Sequence, residues 1–598
     1  MDLLDYYRDN LQYIRALAAE FAAEFPKIAG RLSLSEFECQ DPYIERLLEG
    51  TAFLSAKVEK KLDEGYQHFL ESMLNSMAPS ALYPIPSGSV LELVLNYSNE
   101  RARRGVMLEA GTIFDAFISN SNTPCRFSSV DAVPLLPLSV AEEQYVTRDL
   151  GSLGITNAQA NAALRLKLMS TTGEPLTALD ELVFFVNMPE AETSLLQRQL
   201  MHDRVAVYVR HNNGAFTLVN NLVFDLPINA GSTILHEGLK GNVKALRLLQ
   251  NFMAYPAFFK FFSIKNLGVV FNATALELVI MFKRREPSLA ADIKAGALKL
   301  NCVPVLNIFT KRSDRIALDR EVFAFHIVPE RTAMRDYEVL SVQQLEFFNE
   351  RNETLFFATN FYDQDVLHGS NQRNFFSQHR QRSLFERKST QRSSYSGTEL
   401  FVSFSAQNPN VEKAYQFAAE LICTNRDLPL LLQLDTSLTS NVPYIQSGVF
   451  IAAPTKPDYS LVARGDQSDF AKLSHIIFNL SSMLWQDGTL PLEMFKTMLL
   501  NYRIRSEEET ERMIDGIISL ESEPKTFRFI KGGAIFFEAG WKVRFTLDEM
   551  AYAGMGYYTF AFIIGEMLKS FTPLNTLLEI DFCTQQSGRI ATWKTLES

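Results

Sequence analysis

The chain has 598 residues, 47% of them hydrophobic and 21% charged, with a net charge of −11 and a pI near 5.5. That length excludes a single core and predicts about three or four domains, while the composition excludes a disordered or membrane-embedded chain. The acidic balance argues against a dedicated nucleic-acid binder, whose affinity rests on basic contacts to phosphate, and the 46 Phe and 20 Tyr fit large cores or large protein interfaces.

Residues 1–80 read as helical. Leu4, Tyr7, Leu11, Ile14, Ala18, Phe21 and Phe25 recur at alternating spacings of three and four, a heptad-like seam that Pro26 ends. Asp41-Pro42 opens a second helix with an N-cap carboxylate and a proline at the first helical position. It runs to about Met77 and carries Ile44, Leu47, Leu54, Val58, Leu62, Phe69 and Met73 on one side. A helix so long suits a bundle or coiled coil. The hairpin packs on its own domain or is completed by partner chains, and the regular seam favours partners. APSALYPIPSG (78–88), with three prolines, marks a domain boundary.

From 89 to 345 the texture is that of strands: SVLELVLNY, GTIFDAF, VAVYVR, FTLVNNLVF, LELVIMF and ALKLNCVPVLNIF, with a helix around VKALRLLQNFMAYP (243–256). This β-rich mixed region holds one or two domains. Residues 346–398 are expected to be a polar linker, because 365–398 is rich in Ser, Gln and Arg and has no period. Within 373–392, Arg373, Arg380, Arg382, Arg387, Lys388 and Arg392 face one acid, Glu386, so Arg380, Arg382 and Arg387 are candidates for meeting an acidic partner.

The last region, 399–598, begins with the strands ELFVSF and YQFAAELI. Asp469 can cap the helix FAKLSHIIFNLSSMLW, and Ser506 with Glu509 forms a capping box for a helix carrying Met513, Ile517 and Leu520. GWKVRFTLDE (540–549) reads as strand and turn, followed by the apolar helix YYTFAFIIGEMLKSF. The fold class is α+β: an N-terminal long-helix bundle, β-rich mixed middle domains, and a mixed C-terminal domain with helices.

No catalytic, cofactor or metal set is legible. The five cysteines (39, 125, 302, 423, 583) are scattered, odd in number and never in Cys-x-x-Cys, which fits a reducing compartment. The N-terminus lacks a signal-peptide pattern, and the longest uncharged apolar stretch, Ala551–Gly565, is too short to span a bilayer, so a cytoplasmic chain is expected. No phosphate-binding loop, His-Glu-x-x-His or Gly-x-Ser-x-Gly occurs, and Gly554-Met-Gly556 lacks the third glycine of a phosphate loop. None of the eight histidines stands three or four residues from another, and His475 reads as a packing residue. Asp548-Glu549 reads as a turn or helix start, since neighbouring strand residues point to opposite faces. CTNRDLP (423–429) concentrates reactive groups, yet a nucleophilic Cys423 has no local histidine. A strand-end turn held by Asn425, Arg426 and Asp427 explains the stretch: Thr424, Asn425 and Asp427 satisfy the freed backbone, Arg426 pairs with Asp427 or with a carboxylate of a neighbouring loop, and Pro429 stops the strand. The alternatives are an enzyme built on Cys423 or Asp548/Glu549, and a nucleic-acid binder using the basic stretch 373–392.

Several blocks resemble the TssF (VasA/ImpG) family of type VI secretion proteins. They include Pro26, Ala29, Gly30, Arg31 and Leu32 in Pro-x-x-Ala-Gly-Arg-Leu spacing, Asp41-Pro42, Glu45-Arg46-Leu47-Leu48-Glu49-Gly50 and Phe53-Leu54. NCVPVLNIF (301–309), CTNRDLP, Leu473-Ser-His475, and Leu547-Asp-Glu549 with Gly554 follow in family order over nearly the whole chain. The 365–398 stretch is unusually polar, and the ending QQSGRIATWKTLES is not diagnostic. The resemblance implies a cytoplasmic baseplate scaffold without cofactor, catalytic site, nucleic-acid binding or membrane insertion, docked at the inner-membrane complex. Two copies are expected to join one TssG in a wedge that recruits TssE and TssK. Neighbouring wedges surround the VgrG hub, on which the Hcp tube and TssB/TssC sheath grow. Within it, Leu4, Tyr7, Leu11, Ile14, Leu47, Leu54 and Val58 are expected in a bundle shared with a second TssF copy and TssG.

Overall fold

A computed structural model of the chain describes residues 3–31, 41–77, 82–118, 122–155, 157–175, 180–212, 214–227, 242–267, 274–361, 374–382, 392–406, 410–459, 492–500, 507–531, 534–572 and 576–594. The chain divides into two compact units, one holding the residues up to Leu82 and one beginning at Tyr83.

The first unit is a helical hairpin. Helix Leu3–Glu24 stops before Pro26, which opens the short helix Pro26–Arg31; the ring fixes φ where a first-turn N–H needs no partner. The long helix Pro42–Met77 begins where Asp41 Oδ1 accepts from the Tyr43 N–H at 2.9 Å, the cap read from the sequence. The two long helices run antiparallel: the Tyr6 hydroxyl donates to Asp63 at 2.7 Å, Asn10 donates to Glu59 at 2.6 Å, and Arg15 pairs with Glu45. Tyr7 meets Phe53 edge-on, with ring centroids 6.4 Å apart. Between the helices the long helix buries only small side chains in its first half, Ala52 and Ala56, so the backbones can approach closely.

The second unit is built on sheets. Gly88–Leu95, Cys302–Leu306, Cys125–Ser129, Ile113–Ala116, Ser437–Ser440 and Ile445–Phe450 close into a barrel in that order. Leu91, Leu93, Phe114, Phe127, Val303 and Phe450 help to fill it. Two further sheets alternate through 138–299: Ala275–Phe282 pairs with Ala162–Ser170 and Arg204–His211 in one, and Phe261–Lys265 pairs with Glu181–Val186 in the other. The largest sheet runs Phe309–Arg312, Gln416–Thr424, Glu338–Phe348, Thr354–Asn360, Asn374–Arg382, Thr398–Ala406, Phe325–His326. The last sheet joins Ile517–Lys531, Ala534–Leu547, Leu577–Thr584 and Gly588–Lys594, and helix Tyr557–Phe571 crosses between its parallel central pair. The mixed α+β class follows directly.

Two expectations are corrected. The linker expected over 346–398 contains strands, since Thr354–Asn360 and Asn374–Arg382 both join the large sheet and the latter pairs with Thr398–Ala406 over its full length. Its inward row is polar (Asn374, Gln378) except for Phe376, so it shows no apolar period. Those polar groups meet backbone freed by register shifts in Glu338–Phe348: Gln378 Oε1 accepts from the Val342 N–H at 3.2 Å, and Arg380 donates to Val339 O at 2.8 Å and Leu340 O at 2.5 Å. The second correction concerns the helix expected through Leu520. It ends at Asp515, and Ile517 and Leu520 lie on a strand. A Cβ on Gly516 would lie 2.6 Å from the Tyr552 ring, so only glycine fits at the exit. The expected cap Asp469, its helix with His475, and Ser506 lie outside the described residues.

One carboxylate works against the fold. Asp131, in the connection from Cys125–Ser129 to Val133–Leu135, is pushed up to about 7 by burial. Unfolded it titrates near about 4, so between these values the native state holds the extra proton and stability falls as pH rises. Asp131→Asn is expected to raise the urea midpoint at pH 8 and leave it nearly unchanged at pH 4. An equal gain at both pH values would show that the charge is not the cause.

Candidate functional site

Cys423-Thr-Asn-Arg-Asp-Leu-Pro429 lies where the barrel meets the large sheet. Cys423, near the end of strand Gln416–Thr424, is buried in the core of the sheet, while Leu428 is buried in the barrel core. Between them the chain must turn through two sets of strand ends, whose backbone groups need partners. Asn425 and Asn307 supply them. The Asn425 N–H donates to Asn307 Oδ1 at 2.6 Å, and Asn307 Nδ2 donates to Asn425 Oδ1 at 2.9 Å and Arg126 O at 2.6 Å. Asn425 Oδ1 also accepts from the Arg126 N–H at 3.0 Å, and its Nδ2 donates to Pro124 O and Asp336 O, both at 3.3 Å. Two interlocked carboxamides thus tie barrel strand Cys125–Ser129 to the approach to Glu338–Phe348.

Arg426 adopts φ +51°, a left-handed conformation that costs a non-glycine residue about 1–2 kcal/mol. This turns its side chain back into the protein. Nε donates to Tyr337 O at 2.8 Å, Nη1 to Ser396 O at 3.3 Å and Nη2 to Glu399 Oε1 at 2.5 Å, while Glu399 Oε2 meets His326 Nε2 at 2.9 Å. The guanidinium also lies against Gly397, where a Cβ would sit 3.3 Å from it. Burial pushes the Glu399 carboxyl up, but the bonds from His326 and Arg426 outweigh this and hold it below its ordinary value. Asp427 accepts from Ser393 Oγ at 2.9 Å, and Pro429 opens the 3-10 turn Leu428–Leu431. Arg426 therefore pairs with Glu399 on strand Thr398–Ala406, rather than with Asp427 or a loop carboxylate as expected.

The groups considered for catalysis are placed apart. Burial pushes the Cys423 thiol far up, so at neutral pH it lacks the thiolate that a nucleophile needs. Asp548 caps the turn Glu549–Tyr552 through the Met550 N–H at 3.0 Å, while Glu549 accepts from Thr584 Oγ1 at 2.5 Å. Of the candidate arginines, Arg380 is spent on backbone carbonyls inside the sheet, Arg382 ends its strand opposite Thr398, and Arg387 lies outside the described residues. Arg392 pairs with Asp336 at 2.5 Å. No described helix is long and apolar enough to cross a membrane.

The structure divides the seven seam residues. Tyr7, Leu11 and Ile14 are half-buried on the first helix, whereas Leu4, Leu47, Leu54 and Val58 are exposed. Leu47, Leu54, Val58 and Leu62 fall on one face of the long helix and are 69%, 64%, 61% and 69% exposed. Ala52 and Ala56 occupy the opposite, buried face. On this stretch of the helix Leu47, Leu54, Val58 and Leu62 point outward and Ala52 and Ala56 inward.

A second polar cluster was not legible. Helix Tyr557–Phe571 begins at Gly556, which has no side chain to cap it. Ser194 does so from elsewhere in the chain, accepting from the Tyr558 and Thr559 N–H groups at 3.0 and 3.3 Å. Thr559 donates to Gln197 at 2.8 Å, Arg198 to the Tyr557 hydroxyl at 2.7 Å, and His202 meets the Tyr558 hydroxyl at 2.8 Å. A glycine N-cap before an apolar helix is the one local sign that the cap comes from a distance.

Removing Arg426 takes the guanidinium away from the buried Glu399 carboxylate, so Arg426→Ala is expected to cost about 3–5 kcal/mol. Arg426→Lys should rescue little, because one ammonium cannot reach three acceptors in a planar fork. Denaturant unfolding checks both; a loss below about 1 kcal/mol for Arg426→Ala, the range of exposed pairs, would mean the cluster carries little.

A family model described as type VI secretion system, TssF, matches residues 1–597. The type VI secretion system component TssF1 of Pseudomonas aeruginosa PAO1 is 31% identical over 618 residues, covering 99% of this chain and 98% of that protein. A chain of the cryo-electron microscopy structure of a TssK-TssF-TssG baseplate subcomplex superposes with TM-score 0.69 at 20% identity, over 93% of this chain and 98% of that one. A chain from a baseplate complex of the type VI secretion system gives 0.57 at 18% identity, with both chains fully covered. At these identities the two structures speak for the fold, and the family rests on the whole-length match and the Pseudomonas relative. The chain belongs to the TssF family of the type VI secretion system.

Proposed function

We propose that this chain is a non-catalytic wedge subunit of a type VI secretion baseplate. Its place is the cytoplasmic side of the inner-membrane complex. Two copies join one TssG, and the wedge engages TssK and TssE around the VgrG hub. Family membership supports the class of function, as does the presence of TssF beside TssK and TssG in a solved subcomplex of similar fold. The observation that carries the interaction is the long helix with its large apolar residues outside and alanines inside. Such a stripe is what a helix keeps when its remaining neighbours come from other chains.

Leu47, Leu54, Val58 and Leu62 then form the seam of a bundle with TssG and the second copy, extended by Leu4 on the first helix. Tyr7, Leu11 and Ile14 set the spacing of the hairpin from within. Burying each outward leucine or valine is worth about 1.5–3 kcal/mol, before the cost of association.

The double change Leu54→Asp with Val58→Asp is expected to abolish co-purification with TssG while helicity and melting temperature of the chain alone stay unchanged. Retained co-purification would show that the stripe is not the seam. Mass measurement of the unaltered complex tests the stoichiometry: one TssF per TssG would refute the two-copy wedge.

A further inference from the structure

The C-terminal sheet narrows sharply along its length. Strands Ile517–Lys531 and Ala534–Leu547 pair to their ends, but Leu577–Thr584 joins the second of them only from Gly540 onward. From Thr526 to Ala539 the described sheet is therefore a ribbon two strands wide, an arrangement marginal in water on its own. Its base is stapled on one face. A Cβ on Gly540 would lie 2.1 Å from Leu577 O and 2.6 Å from the Phe527 ring, so only glycine lets the strands and that ring close together. The Lys525 ammonium sits 5.1 Å from the Phe527 centroid and 2.6 Å from Glu579.

The other face differs. Along the wide part of the sheet it is the buried one, with Leu520, Val543, Phe545, Leu578, Ile580 and Phe582 in the core. Followed along the ribbon, the register puts Arg528 opposite Phe537 on this same face, with Ile535 two residues on. Here Phe537 is 70% and Ile535 51% exposed, and Arg528 is exposed beside them. The ribbon thus extends a core face past the end of its core.

We propose that the ribbon is a docking arm for a different protein, one offering an apolar cleft to Phe537 and Ile535 with carboxylates at the rim for Arg528. The charge pattern selects this occupant: an exposed arginine flanks the apolar pair in a chain of net charge −11. A two-fold contact with a second copy would bring each Arg528 toward its own mate, which disfavours that occupant. The choice of probes below rests on the baseplate reading.

Ala539→Cys places an exposed thiol on the docking face without touching the three contact residues. Its maleimide labelling, corrected for the unaltered chain, is compared between the free chain and the chain co-purified with TssG and TssK. Labelling is expected to be rapid in the free chain and lost in the complex. Phe537→Glu should restore it, as should Arg528→Glu at low salt, with the arginine effect fading as salt rises. Equal labelling in complex and free chain overturns the arm while leaving the baseplate reading intact. Protection in the concentrated free chain that disappears on dilution identifies a second copy and also overturns it. Failure to form any complex removes both readings.

Discussion

The paired carboxamides of Asn425 and Asn307 are the contact on which the second unit turns. A barrel and a sheet that share a core junction each bring strand ends there, and every backbone N–H and C=O left without a partner costs about 1–3 kcal/mol. Apolar packing cannot satisfy those groups. Two side-chain amides can, because each offers donors and acceptors at once, and here each reaches main chain of the other's neighbourhood. The adjacent Arg426 accepts backbone strain so that its fork can reach two carbonyls and Glu399. A buried network of this kind is favourable only when complete, because each member's satisfaction depends on the rest.

The same solution recurs wherever distant segments meet. Ser194 caps a helix that starts at a glycine, Gln378 and Arg380 serve the shifted register of a strand that is not their immediate neighbour, and Asn301 accepts from the Leu136 N–H at 2.7 Å while donating to Leu136 O at 2.8 Å. Polar side chains here act as long-range extensions of the backbone ladder. This explains why a chain rich in functional groups gathers them without chemistry: Cys423 is surrounded by core, and the charges near it are already engaged with one another.

The helical unit follows a different rule. Where the long helix meets the first it buries Ala52 and Ala56 beside the half-buried Tyr7, Leu11 and Ile14, with hydrogen bonds at the edge, while Leu47, Leu54, Val58 and Leu62 face away. The arrangement leaves Leu47, Leu54, Val58 and Leu62 in water, apolar surface that the hairpin's own packing does not use.

Features set by neighbours in the chain were legible: the Asp41-Pro42 cap, the break at Pro26, the heptad spacing, strand Gln416–Thr424 with its terminal turn, and the apolar helix Tyr557–Phe571. Each depends on local dihedrals or on a periodicity of a few residues. Strand Asn374–Arg382 stayed hidden because its inward residues are polar and find partners on strands that the sequence cannot bring near, and the exit at Gly516 depends on a tyrosine ring from Tyr552. The seam was legible as a period but its direction was not. Amphipathicity counts apolar residues, whereas only the packed hairpin decides that Ala52 and Ala56 face inward and Leu54 and Val58 outward. The sequence by itself determined the elements that rest on local dihedrals or a clear apolar period, and the family. The tertiary structure alone decided which polar groups complete one another and which apolar faces remain open, because both depend on residues from tens to hundreds of positions apart arriving in contact.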